Sequence, residues 1–323
     1  MMSLDEFLSE WRNDSQQILV HTSGSTGTPK PLWVEKRRME ASARITCDFL
    51  GLRPGNTALL CMPLDYIAGK MMVVRSLVRQ LRLINVEPSG HPLADIGEPI
   101  DFAAMVPLQV FNSLQVAEER ERLMRVRHLI IGGGAIDEQI SRQLLDFPYA
   151  VWSTYGMTET LSHIALRRLS GHEASEWYTP FPSVSVSLSA DGCLVIDAPE
   201  VNDSQLVTTD LAELRPDGRF RILGRKDNVI CSGGVKIQIE QVEQLLRPHV
   251  NVPFLITKRS DLRLGECVVL LTECSPADSL RSVCQQVLPR YWQPCHYITV
   301  SRIPLTPTGK PSRHEAQLLA AST

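Results

Sequence analysis

Short apolar runs alternate with amphipathic stretches along the first half of the chain. The apolar runs have the length of buried strands, and the stretches between them place apolar residues at helical spacing. Strands are predicted at residues 58–61, 83–86, 129–131 and 150–152, and helices at residues 36–50, 69–80 and 136–145. This alternation favours an α/β fold, in which a parallel sheet carries helices on its faces. An N-terminal helix is also predicted, because Ser3 and Glu6 form a capping-box pattern ahead of Phe7 and Trp11.

The pattern changes from about Val184 onward. Two pairs of strand-like runs flank Asp191-Gly192 and Asp217-Gly218. Asp-Gly between such runs is a strong signal for a hairpin. We therefore predict an antiparallel, barrel-like part within the larger N-terminal domain.

A second change follows Gly224-Arg225-Lys226-Asp227. The predicted order is then helix, two strands, helix and a helical tail, which indicates a small α+β domain. The predicted boundaries are residues 1–225 for the larger domain and residues 226–323 for the smaller one.

The composition is that of an ordinary globular protein. The 323 residues are 43% hydrophobic and 21% charged, and the formal net charge is −3. Charges of both signs are interspersed, which gives no support to a nucleic-acid partner or to a polybasic membrane contact. The longest apolar runs are too short to cross a bilayer, so no membrane span is predicted.

Cysteine usage indicates a reducing compartment. The eight cysteines are scattered, and no two have the Cys-x-x-Cys spacing of a zinc or redox site. Cys61, Cys193 and Cys267 lie in strand-like apolar runs and are expected to be buried. The first residues carry no basic segment leading into an apolar run, so no signal peptide is predicted. These features together predict a cytoplasmic protein.

A loop rich in Gly, Ser and Thr follows the apolar run at residues 18–20. Small residues let backbone N–H groups approach phosphates closely, hydroxyls donate further hydrogen bonds, and Lys30 adds a positive charge. The Gly-Lys-Ser/Thr ending of a Walker loop is absent. The alternative is a flexible linker, which is disfavoured because the loop lies between a strand and a helix. We therefore predict a phosphate-binding loop.

The segment TSGSTGTPK, residues 22–30, resembles the phosphate loop of the adenylate-forming superfamily. That superfamily includes acyl-CoA synthetases, peptide-synthetase adenylation domains and luciferases. Its other motifs follow here in the same order. The resemblance implies that the nucleotide phosphates are bound by Thr22, Ser23, Gly24, Ser25, Thr26, Gly27 and Lys30.

Two further segments resemble the adenine-binding motifs of the superfamily. Residues 132–135 (GGGA) resemble the glycine loop along the adenine, which implicates Gly132, Gly133, Gly134 and Ala135. Residues 153–159 (STYGMTE) resemble the segment in which a tyrosine stacks on adenine, a threonine contacts the α-phosphate and a glutamate holds magnesium. The residues so implied are Ser153, Thr154, Tyr155, Gly156, Thr158 and Glu159, with Gly132 and Ser153 also lining the substrate pocket. Alone, Tyr155 would be a core aromatic and Glu159 a solvated charge, but the order of the motifs favours the functional interpretation.

The remaining motifs concern ribose, domain movement and catalysis. Thr208-Thr209-Asp210 resembles a Thr-Gly-Asp motif whose aspartate binds the ribose, with the usual glycine replaced. Arg225 matches a ribose-binding arginine, and Asp227 matches the hinge position. Residues 233–236 resemble a loop that faces the active site during thioester formation, although an isolated Gly-Gly is more often a turn.

The last motif, residues 304–310 (PLTPTGK), resembles the loop that carries the catalytic lysine of adenylation. The resemblance implies that this lysine is Lys310. A lysine in a loop rich in Pro and Thr is ordinarily solvated, so it is the position after the small domain that favours a catalytic role.

The chain departs from the family pattern in two respects. Most relatives carry a large subdomain ahead of the phosphate loop, where this chain has only residues 1–17. The resemblance therefore implies a compact form of the fold without that subdomain, with a homodimer as one way of covering the interface. The second departure is Tyr66, which replaces a histidine that lines the acyl pocket.

The resemblance implies ATP-dependent conversion of a carboxylic acid into an acyl-adenylate and then into a coenzyme A thioester, with Mg²⁺. Among relatives, the chain is most similar to the o-succinylbenzoate–CoA ligases of menaquinone synthesis. A substrate with a second carboxylate requires a cation in the pocket, for which Lys70 and Arg75 are candidates, unless both face solvent. His163 is either a pocket residue or a structural histidine. The alternatives are another aryl or acyl acid, loading of a carrier protein, and a nucleotide-binding regulator without catalysis.

Overall fold

A computed structural model describes residues 2–21, 31–134, 136, 138–306 and 311–322. The helices of the described part, α1 to α9, are Leu4–Arg12, Lys36–Phe49, Ile67–Arg79, Pro107–Gln115, Ala117–Met124, Glu138–Leu144, Ile239–Leu246, Arg281–Val287 and Arg313–Ala321. Its strands, β1 to β18, are Gln17–His21, Pro31–Glu35, Thr57–Leu60, Arg82–Asn85, Phe102–Met105, His128–Ile131, Ala150–Gly156, His163–Arg168, Thr179–Pro180, Ser185–Leu188, Cys193–Asp197, Leu206–Leu214, Phe220–Arg225, Val229–Ser232, Val235–Gln238, Phe254–Asp261, Gly265–Thr272 and His296–Thr299.

A seven-stranded sheet forms the centre of the larger part of the molecule, with strand order β4-β3-β5-β6-β7-β8-β9. Its first five strands are parallel. Strands β3 and β5 are buried at every position, as expected for a sheet covered on both faces. The α/β prediction is therefore confirmed. The predicted strands and helices of this part agree to within two residues at their ends, except β7, which continues four residues beyond the predicted end at residue 152.

The sheet differs from the prediction at two places. Strand β5, which reads FAAM, was not predicted, because its alanines give a weak strand signal. Strands β8 and β9 were also not predicted, and they run antiparallel to their neighbours. The predicted parallel sheet therefore has an antiparallel edge that the sequence pattern did not indicate.

The two predicted hairpins are confirmed. Strands β10 to β13 form a four-stranded antiparallel sheet in sequence order. Gly192 and Gly218 have φ angles of 77° and 82° at the two Asp-Gly turns. Only glycine adopts such angles without strain, which explains why these dipeptides mark the turns.

The C-terminal part has a sheet of its own, with order β15-β14-β17-β16 and with β18 parallel to β17. Apolar residues of α7 and α8 pack on one face of this sheet, and apolar residues of α9 pack on the other. A separate apolar cluster extends from Phe7 to Phe220. The boundary at residues 225/226 stays a prediction.

The buried set includes Cys61, Cys193 and Cys267, as predicted. The described helices include none that is long and apolar enough to cross a bilayer.

Candidate active site

The glycines after β6 pack closely against β7, its parallel neighbour in the sheet. A Cβ atom on Gly132 would lie 2.6 Å from Thr154 Oγ1, so only glycine fits there. Gly133 has a φ angle of +82°, which again favours glycine. Gly134 lies over the ring of Pro107, the first residue of α4. The two predicted adenine segments therefore meet at the carboxyl ends of parallel strands, where α/β proteins bind ligands.

Tyr155 lies near the end of β7 and is held by contacts on its ring and on its hydroxyl group. The ring packs edge-on against Phe220, with centroids 5.1 Å apart, and tilts against Tyr178 at 5.8 Å. Its hydroxyl donates a hydrogen bond of 2.6 Å to Asp210 Oδ2. Burial, together with the negative charge of Asp210, raises the pKa of Tyr155 above its ordinary value. The hydroxyl therefore stays protonated and remains a donor to Asp210.

Asp210 and Arg225 face each other across β12 and β13, where they are register partners. Arg225 Nε lies 3.9 Å from Asp210 Oδ1. Arg225 Nη2 donates to Thr209 Oγ1 at 2.6 Å and lies 3.3 Å from Asp227 Oδ2. We call Tyr155, Thr209, Asp210 and Arg225 the Asp210 cluster. The cluster brings together Tyr155, Asp210 and Arg225, the three members that were predicted from the sequence to bind the same nucleotide.

Ser153 is buried and hydrogen-bonded on the same strand. Its Oγ lies 2.9 Å from the hydroxyl of Tyr178, and the Tyr178 ring stacks on Phe220 at 5.5 Å. Sequence reasoning missed Tyr178, because an isolated aromatic residue in a strand-rich region has no signature beyond ordinary core packing. Tyr178 and Phe220 both pack against the Tyr155 ring.

The turn after β7 is tightly constrained. A Cβ atom on Gly156 would lie 2.2 Å from Ser162 O, so glycine is required. A single 3₁₀ turn, Thr158–Thr160, follows, and Leu161 then has a φ angle of 63°. Positive φ in a branched residue is strained and is found mainly where surrounding structure fixes it at functional sites.

This turn presents Thr158 and Glu159 differently. Thr158 is buried, whereas Glu159 is exposed and its carbonyl accepts a hydrogen bond from Asn202. Among the described residues, no group of three acidic, His or Cys side chains could hold a metal ion. Magnesium commonly binds proteins through one or two carboxylates together with substrate phosphates. One exposed carboxylate, such as that of Glu159, suits that mode.

Lys70 is buried in α3 rather than solvated, so the solvent alternative was wrong for it. Its Nζ donates to Leu19 O at 3.0 Å, lies 3.8 Å from Glu10 Oε2, and stands 5.5 Å from the centroid of the Phe7 ring. Lys70 thus ties α3 to α1 and to β1, the strand that precedes residues 22–30. Its charge is already balanced within the protein.

Arg75 is also buried, with 2% of its surface exposed, so the solvent alternative was wrong here too. Arg75 Nη2 donates to Ser162 Oγ at 2.6 Å, and Nη1 contacts the sulfur of Met72. Its Nε has no hydrogen-bond partner, and within the described ranges no carboxylate pairs with it. Burial lowers the pKa of Arg75 to about 10, so the guanidinium remains charged at neutral pH.

His163 is buried beside Arg75, and both of its ring nitrogens are engaged. Nε2 lies 3.2 Å from Thr46 Oγ1 and Nδ1 lies 3.1 Å from Ser162 Oγ. Burial, and then the charge of Arg75, lower its pKa well below the ordinary value. These contacts agree with the structural alternative for His163, whereas its role as a pocket residue stays a prediction. We call Thr46, Arg75, Ser162 and His163 the Arg75 cluster.

Tyr66 precedes α3 as its N-cap residue and is half-buried. A Cβ atom on Gly69 would lie 2.3 Å from Pro63 O, so this glycine lets α3 begin directly against the preceding segment. Tyr66 at the N-cap and Lys70 and Arg75 within the helix thus lie along α3, and Arg75 connects this helix to Ser162, just before β8.

The predicted hinge residue, Asp227, lies in a single 3₁₀ turn, Lys226–Asn228. Gln238, which sequence reasoning missed, donates to Arg225 O at 2.9 Å and packs against Gly224, where a Cβ atom would clash. Gly233 and Gly234 have positive φ angles and join β14 to β15 as a tight turn.

Several predicted site residues lie outside the described part of the chain. These are Thr22, Ser23, Gly24, Ser25, Thr26, Gly27, Lys30, Ala135 and Lys310. For the first seven, the flanking strands are described: β1 and β2 are antiparallel, with His21 opposite Pro31.

The matching family is that of AMP-binding enzymes, whose model covers residues 6–204, more than half of the chain. A 2-succinylbenzoate–CoA ligase from Haemophilus influenzae is 26% identical over 299 residues, which are 85% of this chain and 65% of that ligase. The chain thus spans less than two thirds of the length of this relative.

The solved structures that are similar to this chain include an acyl-CoA synthetase (AMP-forming)/AMP-acid ligase II-like protein from Dyadobacter fermentans. It is 34% identical, with a TM-score of 0.66, and the match covers 98% of this chain and 92% of that one. An o-succinylbenzoate CoA synthetase from Bacillus subtilis, in complex with the acyl-adenylate intermediate OSB-AMP, is 21% identical with a TM-score of 0.77; the match covers 92% of this chain and 68% of that one. The second likeness concerns the fold alone. The matching family model and the 34% identical relative show that this chain belongs to the AMP-binding enzyme family.

Proposed function

We propose that this protein is an AMP-forming acid–CoA ligase that uses ATP and Mg²⁺. The observation that carries the proposal is the Asp210 cluster beside the glycines at the end of β6. An aromatic ring, a carboxylate and a guanidinium lie together there at the carboxyl edge of the sheet. Such a set suits a nucleoside, because the ring offers a face to the base and the carboxylate accepts hydrogen bonds from ribose hydroxyls.

In the first half-reaction, a substrate carboxylate oxygen attacks the α-phosphorus of ATP and pyrophosphate leaves. The nucleophile is already ionised at neutral pH, so no general base is needed. The obstacle is charge repulsion, which fixed positive charges and dipoles reduce. Thr158 and Lys310 would supply these groups. Glu159 would hold Mg²⁺, which supplies Lewis-acid stabilisation of phosphate charge.

In the second half-reaction, the thiol of coenzyme A attacks the acyl carbon and AMP leaves. We propose that the small domain, residues 226–323, turns about Asp227 between the two steps, so that Lys310 is withdrawn when the thiol enters. The hydrogen bond from Gln238 to Arg225 O spans this connection in the present arrangement.

The Arg75 cluster supports a substrate with a second carboxylate. A buried guanidinium whose charge is not balanced by a described carboxylate is costly, and a bound anion would offset that cost. Lys70, in contrast, is already balanced by Glu10. We therefore propose Arg75 as the residue that binds the free carboxylate of an aromatic diacid such as o-succinylbenzoate, the acid for which the H. influenzae relative is named.

The test compares CoA-thioester formation from o-succinylbenzoate, its monoamide at the carboxylate that does not form the thioester, benzoate and a medium-chain fatty acid. We expect turnover with o-succinylbenzoate and little with the other three. Equal turnover of the diacid and the monoamide would contradict the role of Arg75 and favour another aryl or acyl acid. Pyrophosphate release without thioester would indicate loading of a carrier protein. ATP binding without any turnover would support the regulatory alternative.

A further inference from the structure

The chain enters and leaves the segment with Lys310 at one place on the small domain. Leu305 and Pro311 form an antiparallel bridge, and Ser312 N donates to Pro304 O at 2.9 Å. On the incoming side, Ile303 N donates to Glu273 Oε1 at 2.8 Å. Both ends of the segment are thus fixed by described residues, although residues 307–310 themselves lie outside the described part.

A charge pair with little solvent access lies directly after this segment. Arg313 Nη1 and Nη2 donate to the two carboxylate oxygens of Glu243, at 2.7 and 2.8 Å. Nη1 also donates to Ile256 O at 3.0 Å, while Glu243 Oε1 accepts from Ile256 N at 2.9 Å. The Glu243 side chain is 7% exposed. One bidentate pair therefore joins the start of α9 to α7 and β16.

Helix stability alone does not explain this arginine. Arg313 is the first residue of α9, and a cation at a helix N-terminus opposes the helix dipole. Bidentate geometry fixes the orientation of a guanidinium as well as its position. The pair therefore fixes the backbone at Arg313 more firmly than an apolar contact of the same size.

We propose that the Arg313–Glu243 pair positions Lys310 for the adenylation step. The inference rests on the proposed function, in which Lys310 stabilises charge on the α-phosphate. Three residue steps separate Lys310 from Arg313, a reach of at most about 11 Å. A displacement of the backbone at Arg313 is therefore transmitted to Lys310, because few rotatable bonds between the two residues can compensate for it. Misplacement by about 1 Å can cost about 10² in rate.

The variant Arg313→Lys tests the proposal, because lysine keeps the charge but cannot make the planar, bidentate contact. Each half-reaction is measured separately. Adenylation is followed as pyrophosphate release from ATP and o-succinylbenzoate without coenzyme A, and thioester formation starts from supplied acyl-adenylate and coenzyme A. We expect adenylation to fall by about 10² and thioester formation to remain unchanged, which also shows that the small domain is folded.

A double variant makes the test specific for Lys310. If Arg313 acts only through Lys310, adding Arg313→Lys to Lys310→Ala will cause no further loss, because coupled residues are not additive. Val242→Ala is the matched control for destabilisation, since Val242 is fully buried on α7 next to Glu243. Arg281→Lys is the control for arginine replacement, because Arg281 pairs with Asp278 at the surface.

The outcomes separate this inference from the proposed function. Equal loss in both half-reactions, or the same loss in Val242→Ala at a matched melting temperature, would show a purely structural role and overturn the inference. Wild-type adenylation rates in Arg313→Lys would overturn it as well. If the wild-type protein does not adenylate any acid of the panel, the proposed function fails and the inference fails with it.

Discussion

The Asp210 cluster includes Tyr155, which precedes the turn after β7, and the Arg75 cluster includes Ser162 and His163, which follow it. The two clusters differ in how their charges are balanced. In the Asp210 cluster, the carboxylate accepts from Tyr155 and lies opposite Arg225, and both partners are on strands. In the Arg75 cluster, the guanidinium is fully buried and its described partners are a hydroxyl group and a thioether sulfur. One cluster is electrostatically complete without ligand, and the other is not.

This difference indicates two kinds of binding. A complete cluster on strands is preorganised, so little of the binding free energy is lost in ordering the site. An unbalanced buried charge instead favours an anion of one shape and rejects neutral competitors, which is a source of specificity. We therefore expect variants of the Asp210 cluster to affect every substrate equally, and variants of the Arg75 cluster to affect only the choice of acid.

The largest effect is expected for Lys310→Ala. Removal of one preorganised charge that stabilises a transition state typically costs about 10²–10³ in rate. We expect a loss of this size in adenylation with every acid accepted, and no loss of ATP binding. The measurement is single-turnover pyrophosphate release, with ATP affinity from calorimetry. A loss confined to thioester formation would contradict the assigned step.

A smaller effect is expected for Asp210→Asn. The substitution removes the charged acceptor of Tyr155 and the counter-charge of Arg225, and hydrogen bonds to charged groups are worth about 1.5–3 kcal/mol each. We expect ATP affinity to fall by about 10², equally with and without the acid. Asp217→Asn is the control, because that aspartate pairs with Arg219 at an exposed turn. Unchanged ATP binding in Asp210→Asn would remove the main support for the nucleotide site.

A still smaller effect is expected for Arg75→Met. Replacement of a buried charge by an apolar residue of similar volume is often neutral or stabilising, so the protein should fold. The preference for o-succinylbenzoate over its monoamide, measured as a ratio of kcat/KM values, should fall by about tenfold, with ATP affinity unchanged. Lys70→Met is the matched variant on the same helix, and it should leave the ratio intact. If this ratio falls in Lys70→Met and not in Arg75→Met, Lys70 rather than Arg75 binds the free carboxylate.

Sequence reasoning succeeded where the signal is local and failed where it is tertiary. Asp-Gly dipeptides and apolar runs mark the hairpins and the parallel strands, because turn chemistry and periodicity act over a few residues. The antiparallel edge formed by β8 and β9 carries no such local mark. Likewise, the motif pattern indicated Tyr155, Asp210 and Arg225, but it could not distinguish Lys70, balanced by Glu10, from Arg75. That distinction depends on which distant residues surround each side chain.

The smallest effect concerns stability as a function of pH and the Arg75 cluster. Burial holds the pKa of His163 well below its ordinary value in the folded state, whereas an unfolded histidine titrates near pH 6.5. Below that pH the unfolded chain binds more protons, so the contribution of neutral His163 is complete above about pH 6.5 and is lost as the pH falls, by at most about 1.4 kcal/mol per pH unit.

His163→Gln, whose amide can bond to Thr46, should reduce this slope between about pH 7.5 and about pH 5.5 in urea unfolding. Some slope will remain, because burial also lowers the pKa of His128. His172→Gln is the control, since His172 is exposed. An unchanged slope in His163→Gln would mean that His163 is not held neutral beside Arg75, and the contrast between the two clusters would then lose its electrostatic basis.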